Sequence, residues 1–414
     1  MKNTIAALRR AGRTALSWTD THLDAVLDYA YLLLFGVILL IAFRGTTTFV
    51  EPEIPYAALQ RIRLLLVLVV GAKLARSRDW TLRELLIAVL IVGTLVRSWQ
   101  RVGRLWVLEA ALLAVGARGM DFRKLVRAYL CVTGTALLVT VVLALTGVFE
   151  NLVYFREGHR RISFGIIYPT DFAAHVFFLT AAYAWLREKH IRWWELGVVL
   201  ALGAFCLVFC DARNSVLCLV LLAAGLALLR LLRTRAAKRG GEFALPGWIG
   251  GLLCASAPIL AVIILLLTKL YSGENAGMVL LDRLFSQRLS IGHNAFDWLP
   301  IYLFGNDVYM TGWGGVSEIT EDLIARFFFL DSSYVNILFC FGAVTLVLVL
   351  ALFVYSAVRE KRSGAWERLW ILAVAALQCM MEHHLMELTY NVFLLLPLAA
   401  STDAPLAGET RQRL

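Results

Sequence analysis

The chain has 414 residues, 60% of them hydrophobic and only 17% charged, with a mean hydropathy of +0.73 and a formal net charge of +10. Length alone would allow two or three soluble domains, but that hydropathy excludes a soluble chain. Nucleic acid is not indicated as a partner either, because Lys and Arg cluster in short loops that alternate with apolar runs, the positive-inside pattern of membrane proteins.

A span needs about 20 apolar residues to cross about 30 Å of hydrocarbon, and in lipid its backbone polar groups must be satisfied internally, so the runs read as helices. Lys2, Arg9, Arg10 and Arg13 precede a first run, roughly Asp28 to Phe43. No small-residue cleavage site follows, so this reads as a retained span and not a signal peptide. Residues 5–24 carry the pattern of an amphipathic helix lying on the membrane surface. Further spans are expected near 57–75, 82–99, 104–117, 126–148, 168–186, 194–210, 215–232, 247–269, 333–357, 369–386 and 388–401, the first being 27–43. The fold class is therefore all-α and polytopic, with about twelve transmembrane helices. Arg61, Arg63 and Glu109 interrupt the second and fourth runs.

Alternation puts both termini and the loops RSRDWTLRE, ARGMDFRK, REKHIR, RLLRTRAAKRGG and REKRSGAWER in the cytoplasm, and these hold most of the 40 Lys and Arg. Residues 1–401 form one integral membrane domain, with a long outer loop at 270–332 carrying short helices; the polar tail 402–414 is expected to be cytoplasmic and disordered. Loops as long as 270–332 are uncommon unless functional. The seven Cys show no metal-ligand spacing and no disulfide framework, and read as small packing residues.

Arginine on the outer face runs against the positive-inside rule. Arg156, Arg160 and Arg161 precede the sixth span, Arg213 sits in the tight corner CDARNS, and Arg283, Arg288 and Arg326 lie in the long loop. Singly, each reads equally well as a contact to lipid headgroups or to Glu157, Asp211 or Asp282. As a set they would form an anion site, since guanidinium presents a planar fork of donors suited to phosphate oxygens.

Ionisable groups inside spans are costly and are functional candidates. Asp171 and His175 stand four apart at the start of the sixth span, as a base with its partner or as a polar pair at the interface. In Glu382-His383-His384-x-x-Glu387, an i,i+4 pair could in principle hold a metal, but spacing suggests no further ligand. A hydrogen-bonded lining is expected there, and no metal. His293 is the one His of the long loop and a second candidate base. WGG (Trp313–Gly315) and FGN (Phe304–Asn306) read as turns without a phosphate-cradling role. Walker, dinucleotide and zinc signatures are missing, so no cofactor is expected.

Five stretches resemble the Wzy-type polymerases of capsular and exopolysaccharide synthesis, relatives of the O-antigen polymerase and ligase superfamily. RISFGIIYPTDFAAHVF (Arg161 to Phe177) is similar to the family's Arg-x-Ser-hydrophobic-Gly followed by a Pro at a span entrance, and DARNSVLCLVLL (Asp211 to Leu222) to its Arg-containing corner. SQRLSIGHNAF…YLFGN (Ser286 to Asn306) resembles its loop segment, LDSSYVNILFCFGAV (Leu330 to Val344) its Asp-Ser-Ser-Tyr motif, and EHHLMELTYNVFLLL (Glu382 to Leu396) its terminal Glu…Asn-x-Phe pattern. They cover about a fifth of the chain, in the family's order.

The resemblance implies a glycosyltransferase in the bacterial cytoplasmic (inner) membrane. It would move a growing glycan from undecaprenyl pyrophosphate to a sugar hydroxyl of another lipid-linked repeat unit, working among membrane lipids beside a flippase and a chain-length regulator. Arg161, Arg213 and Arg288 would hold pyrophosphate; Asp171 or His293 would take the proton; Arg160, His175, Asp331, Tyr334 and Glu382 would complete the substrate site. In related O-antigen ligases a loop His is the proposed base, which His293 resembles. The rival readings are an O-antigen ligase-like transferase with another acceptor, and a transporter or flippase of lipid-linked glycans. A transporter would be expected to show paired halves and polar groups at the midplane.

Overall fold

The computed structural model describes residues 2–49, 52–77 and 79–400, with side chains from His22 onward. The helices run between two ends of the molecule, called here the basic end and the hairpin end. α1 (Lys2–Arg44) reaches the hairpin end and α2 (Tyr56–Arg76) returns; α3 (Leu82–Val102), α4 (Trp106–Gly116) and α5 (Phe122–Leu145) continue the alternation. Local signals set the limits. Thr81 and Glu84 form a reciprocal capping box at the start of α3, and Gly103, with φ +77, ends it.

Strands β1 (Val153–Arg156) and β2 (His159–Ile162) follow as an antiparallel hairpin, the one sheet among the described residues. α6 (Pro169–Arg187) starts at Pro169, whose missing N–H costs little in a first turn. Its small residues (Ala173, Ala174, Ala181, Ala182, Ala184) let α5, α8 and α16 close around it, so that it is buried along most of its length. α7 (Trp193–Phe205) leads into a π-helical turn, Cys206–Cys210, and α8 (Arg213–Lys238) returns to the basic end. α9 (Gly247–Cys254) and α10 (Ser256–Lys269) are bent by 56° at the break between them.

The segment 270–332 carries α11 (Ala276–Leu284), α12 (Arg288–Trp298) and α13 (Glu321–Ala325). Then come α14 (Ser333–Asn336), a π-helical turn (Ile337–Phe341), α15 (Ala343–Arg362) and α16 (Trp366–Met381). The break before α15 is at Gly342, with φ +97, where a Cβ would lie 2.3 Å from the Gly305 nitrogen. The FGN turn needs that close approach: Ala343 and Val344 N–H donate to the Tyr302 and Leu303 carbonyls at 3.0 Å, which satisfies the open start of α15.

Ion pairs gather the basic loops at one end. Arg76 meets Asp24 at 2.6 Å, Arg118 meets Glu84 at 3.0 Å, and Arg123 meets Glu188 at 2.7 Å; Arg233 meets Glu367 at 2.7 Å. At the other end Thr47 pairs with Ile166, Thr311 with Phe328, and Arg104 lies 3.6 Å from Asp307. The loops that sequence groups as cytoplasmic thus share one end.

Among the described residues, six helical segments are long and apolar enough to cross a membrane: His22–Arg44, Leu82–Val102, Phe122–Leu145, Trp193–Cys210, Arg213–Lys238 and Ala343–Arg362. The bent α9–α10 pair makes a seventh when counted as one span. The protein is an all-α, multi-pass membrane protein. α2 and α4 carry the interrupting charges; Arg63 and Glu109 pair, Nε standing 2.6 Å from Oε1, and Arg61 is exposed.

The expected last span, 388–401, is not an α-helix. Residues 382–400 form only the short 3₁₀ turns His384–Met386 and Val392–Leu395, then return to the basic end, where Ala400 pairs with Asp121. Irregular backbone at membrane depth is tolerated only inside protein, and this segment is largely buried. Its carbonyls take side-chain donors: Tyr129 Oη bonds Tyr390 at 2.5 Å, and Arg359 bonds Ala399 and Leu396 at 2.9 and 2.8 Å. The side chains of residues 5–21 and the tail 402–414 lie outside the described residues.

Candidate functional site

The hairpin decides which arginines face the protein. Glu157 and Gly158 form its two-residue turn, both with positive φ (51° and 81°), as a primed turn requires. The register pairs Tyr154 with Arg161 and Phe155 with Arg160. With a side-chain period of two, Tyr154, Arg156 and Arg161 share the inner face, while Arg160 and Phe155 point away. Arg160 is accordingly exposed and Arg161 is 2% exposed. Tyr154 anchors the hairpin: its hydroxyl donates to the Ile167 and Trp313 carbonyls at 2.8 and 3.1 Å, and burial pushes its pKa up to about 12.

The corner after α7 receives this face. Asp211 adopts a left-handed φ of 44°, which Asp tolerates, and its carboxylate spans two cations. Arg213 Nε lies 3.0 Å from Oδ1 and Arg156 Nη1 lies 3.4 Å from Oδ2. Arg161 Nε donates to the Cys210 carbonyl at 2.9 Å, its guanidinium stands 5.3 Å from the Tyr168 ring centre, and its Nη2 is buried without a partner.

From the long loop, Ser286 and Gln287 (φ 54° and 64°) turn the chain into α12, and buried Asp282 accepts from the Leu289 and Ser290 N–H groups at 2.9 and 3.0 Å. That turn delivers Arg288, which donates to the Met381 carbonyl at 2.5 Å and to Glu382 Oε1 at 3.2 Å, with Asp331 Oδ2 at 3.7 Å. Burial opposes its charge, yet Asp331 and Glu382 hold its pKa above the ordinary value. For Arg156 the direction is downward, through burial and the neighbouring Arg161.

Together these segments enclose a cavity of about 200 Å³. Arg156, Arg213, Arg288, Asp211 and Glu382 give it a charged wall, and Leu217, Leu284, Phe285, Leu377, Met380 and Met381 an apolar one.

Of the candidates drawn from sequence, Arg213, Arg288 and Glu382 line this cavity. Asp331 reaches it through Arg288, and Asp171 follows the lining residue Thr170, its Oδ1 3.6 Å from His384 Nε2. Arg161 stands behind the wall, next to Arg156. Several others lie elsewhere. His293 turns toward α10, its Nδ1 3.1 Å from the Thr268 carbonyl. Tyr334 is fully buried and donates to the Ala376 carbonyl at 2.9 Å. His175, also fully buried, packs between Phe43 and Tyr390 with Nε2 3.1 Å from Thr46 Oγ1. Arg283 is exposed, and Arg326 pairs with its helix neighbour Asp322 at 3.0 Å.

Arg156 and Asp211 are site residues that a motif search passes over. VYFR-EG-HRRI was the available signal, a short alternating run folded at a two-residue turn. No family model, no curated protein and no solved structure matches this chain.

Proposed function

We propose that this chain is a membrane glycosyltransferase of polysaccharide assembly, of the Wzy polymerase type its motifs resemble. It extends a glycan carried on undecaprenyl pyrophosphate at the outer face of the bacterial cytoplasmic membrane. The observation that carries the reading is the cavity at the hairpin end, where Arg156, Arg213 and Arg288 meet an apolar wall. In this orientation the basic end faces the cytoplasm, as the positive-inside rule requires, and both termini lie there. The chain then crosses the membrane about twelve times, its shorter helices and the irregular 382–400 segment being shielded by the longer ones.

In this reaction the acceptor hydroxyl oxygen bonds to the anomeric carbon of the donor glycan. The bond from that carbon to the pyrophosphate oxygen breaks, and undecaprenyl pyrophosphate leaves. Negative charge grows on the leaving group, where guanidinium groups already fixed in a water-poor cavity stabilise it. Arg156, Arg213 and Arg288 take that role, with Arg161 adding a buried positive charge behind them. The donor is activated beforehand, so no nucleotide is needed. Asp171, one residue from the cavity wall, is the candidate base for the hydroxyl proton.

The test is reconstitution with lipid-linked repeat units. A product ladder is expected from the wild type and none from the double variant Arg213→Ala/Arg288→Ala. A ladder from that variant would overturn the assignment. A single transfer product from the wild type would move the chain to the ligase-like class, and translocation without transfer would make it a transporter.

A further inference from the structure

A second cluster lies in the irregular stretch that follows α16. His384 Nδ1 stands 3.0 Å from Glu387 Oε2, and His383 Nε2 stands 3.6 Å from Glu387 Oε1. One ligand atom from each residue lies within 4.8 Å of the others. Hydrogen bonding explains little of this arrangement. It pairs His384 Nδ1, but His383 Nδ1 and His384 Nε2 are buried without a bond, and the 3.6 Å separation of His383 Nε2 from Glu387 is too long for one. Buried ring nitrogens left in that state are costly.

The surroundings are those of a ligand set. Asp171 Oδ1 lies 3.6 Å from His384 Nε2, on the side of the ring away from Glu387. Metal-bound His typically directs its second N–H at a carboxylate, which fixes the tautomer and frees the other lone pair for the ion. Asp171 is the carboxylate placed for that role, although at 3.6 Å it stands beyond hydrogen-bond distance of Nε2, while Nδ1 faces Glu387. Both rings are braced: Tyr390 stacks on His384 at 3.7 Å, and Phe329 meets His383 edge-on at 5.0 Å. His383 and Glu387 remain partly exposed, 19% and 28% by side chain, which gives an ion a way in.

We propose that His383, His384 and Glu387 bind one divalent transition ion of the zinc class, with Asp171 orienting His384. Two imidazoles and a carboxylate match the ligand preferences of zinc, and three protein ligands leave a coordination position for water or substrate. None of the three lines the arginine cavity, and the site shares with the transferase reading only Asp171. Asp171 is read here by metal affinity and not by turnover.

The experiment uses the full chain purified in detergent, stripped with a chelator, dialysed against zinc and freed of excess ion. Metal per chain is read by mass spectrometry, and affinity by cobalt titration, followed through its visible absorption. The wild type retains about one zinc per chain. His383→Gln and Glu387→Gln, at partly exposed positions that spare the fold, each weaken binding more than about a hundredfold, and Asp171→Asn about ten- to a hundredfold. His159→Gln, on the exposed hairpin, retains the ion. Wild-type protein that keeps no zinc, or a double variant His383→Gln/Glu387→Gln that keeps as much as the wild type, overturns the proposal.

Discussion

Arg161 Nε donates to the Cys210 carbonyl at 2.9 Å and ties the inner face of the hairpin to the last turn of a π-helical segment. No carboxylate compensates this buried guanidinium among the described residues. A charge buried without a counter-charge is costly, and an apolar side chain of similar volume removes that cost. Arg161→Met is therefore expected to melt at or above the wild-type temperature in detergent, while chain extension falls by up to about tenfold, the loss of a buried positive charge behind the cavity wall. A large drop in melting temperature with extension intact would make Arg161 a purely architectural residue.

Strand alternation separates neighbours in sequence. Arg156→Ala removes a cavity cation and is expected to slow chain extension by roughly ten- to a hundredfold, the scale of a lost charge-assisted hydrogen bond. Arg160→Ala, on the outer face, is expected to stay within about twofold. Equal effects of the two substitutions on initial rates would contradict the hairpin register.

At the basic end Arg368 bonds Glu188 and reaches Glu360 Oε2 at 3.2 Å, and Glu360 is fully buried. Glu360→Gln leaves that guanidinium half compensated, at a cost of about 3–5 kcal/mol. Unfolding in detergent should register the loss, whereas pyrophosphate binding at the far end should not change.

Tyr154 supplies a pH dependence. Its folded pKa is raised to about 12 by burial, from an ordinary 10.0. A raised pKa means the hydroxyl's contribution is intact below about pH 10 and is lost as pH climbs through 12. Tyr154→Phe should be less stable than wild type at pH 8, lacking the bonds to the Ile167 and Trp313 carbonyls. The gap should narrow in melting curves taken between pH 10 and 12; a gap that widens there would be incompatible with this role.

Much of the fold is legible in the sequence because burying an apolar run in lipid depends on composition and length. The apolar helices α1, α3, α5 and α8 follow from that, although α1 begins at Lys2, well before the expected span, and so does the gathering of basic loops. The last crossing is not legible in this way: LTYNVFLLLPLAA has a span's composition, yet it folds irregularly because Tyr129 and Arg359, far off in the chain, supply its hydrogen bonds. The excess of arginine at the hairpin end was visible as a set, and the family resemblance singled out Arg161, Arg213 and Arg288; of these Arg213 and Arg288 line the cavity, whereas Arg156, given no role from sequence, lines it in place of Arg161. The faces that Arg156, Arg160 and Arg161 take are set by a two-residue turn.

Sequence by itself determined that this is a helical membrane protein with an unusual cationic end, since hydropathy and charge asymmetry are additive along the chain. Tertiary structure decided which side chains meet. Arg156, Arg213, Arg288 and Glu382 converge from four separated segments, and Glu382 and Asp171 approach the His383–His384 stretch because α16 ends at Met381. A helical spacing rule assumes the helix continues; where it stops, the next few side chains take directions set by their packing partners, which local sequence does not encode.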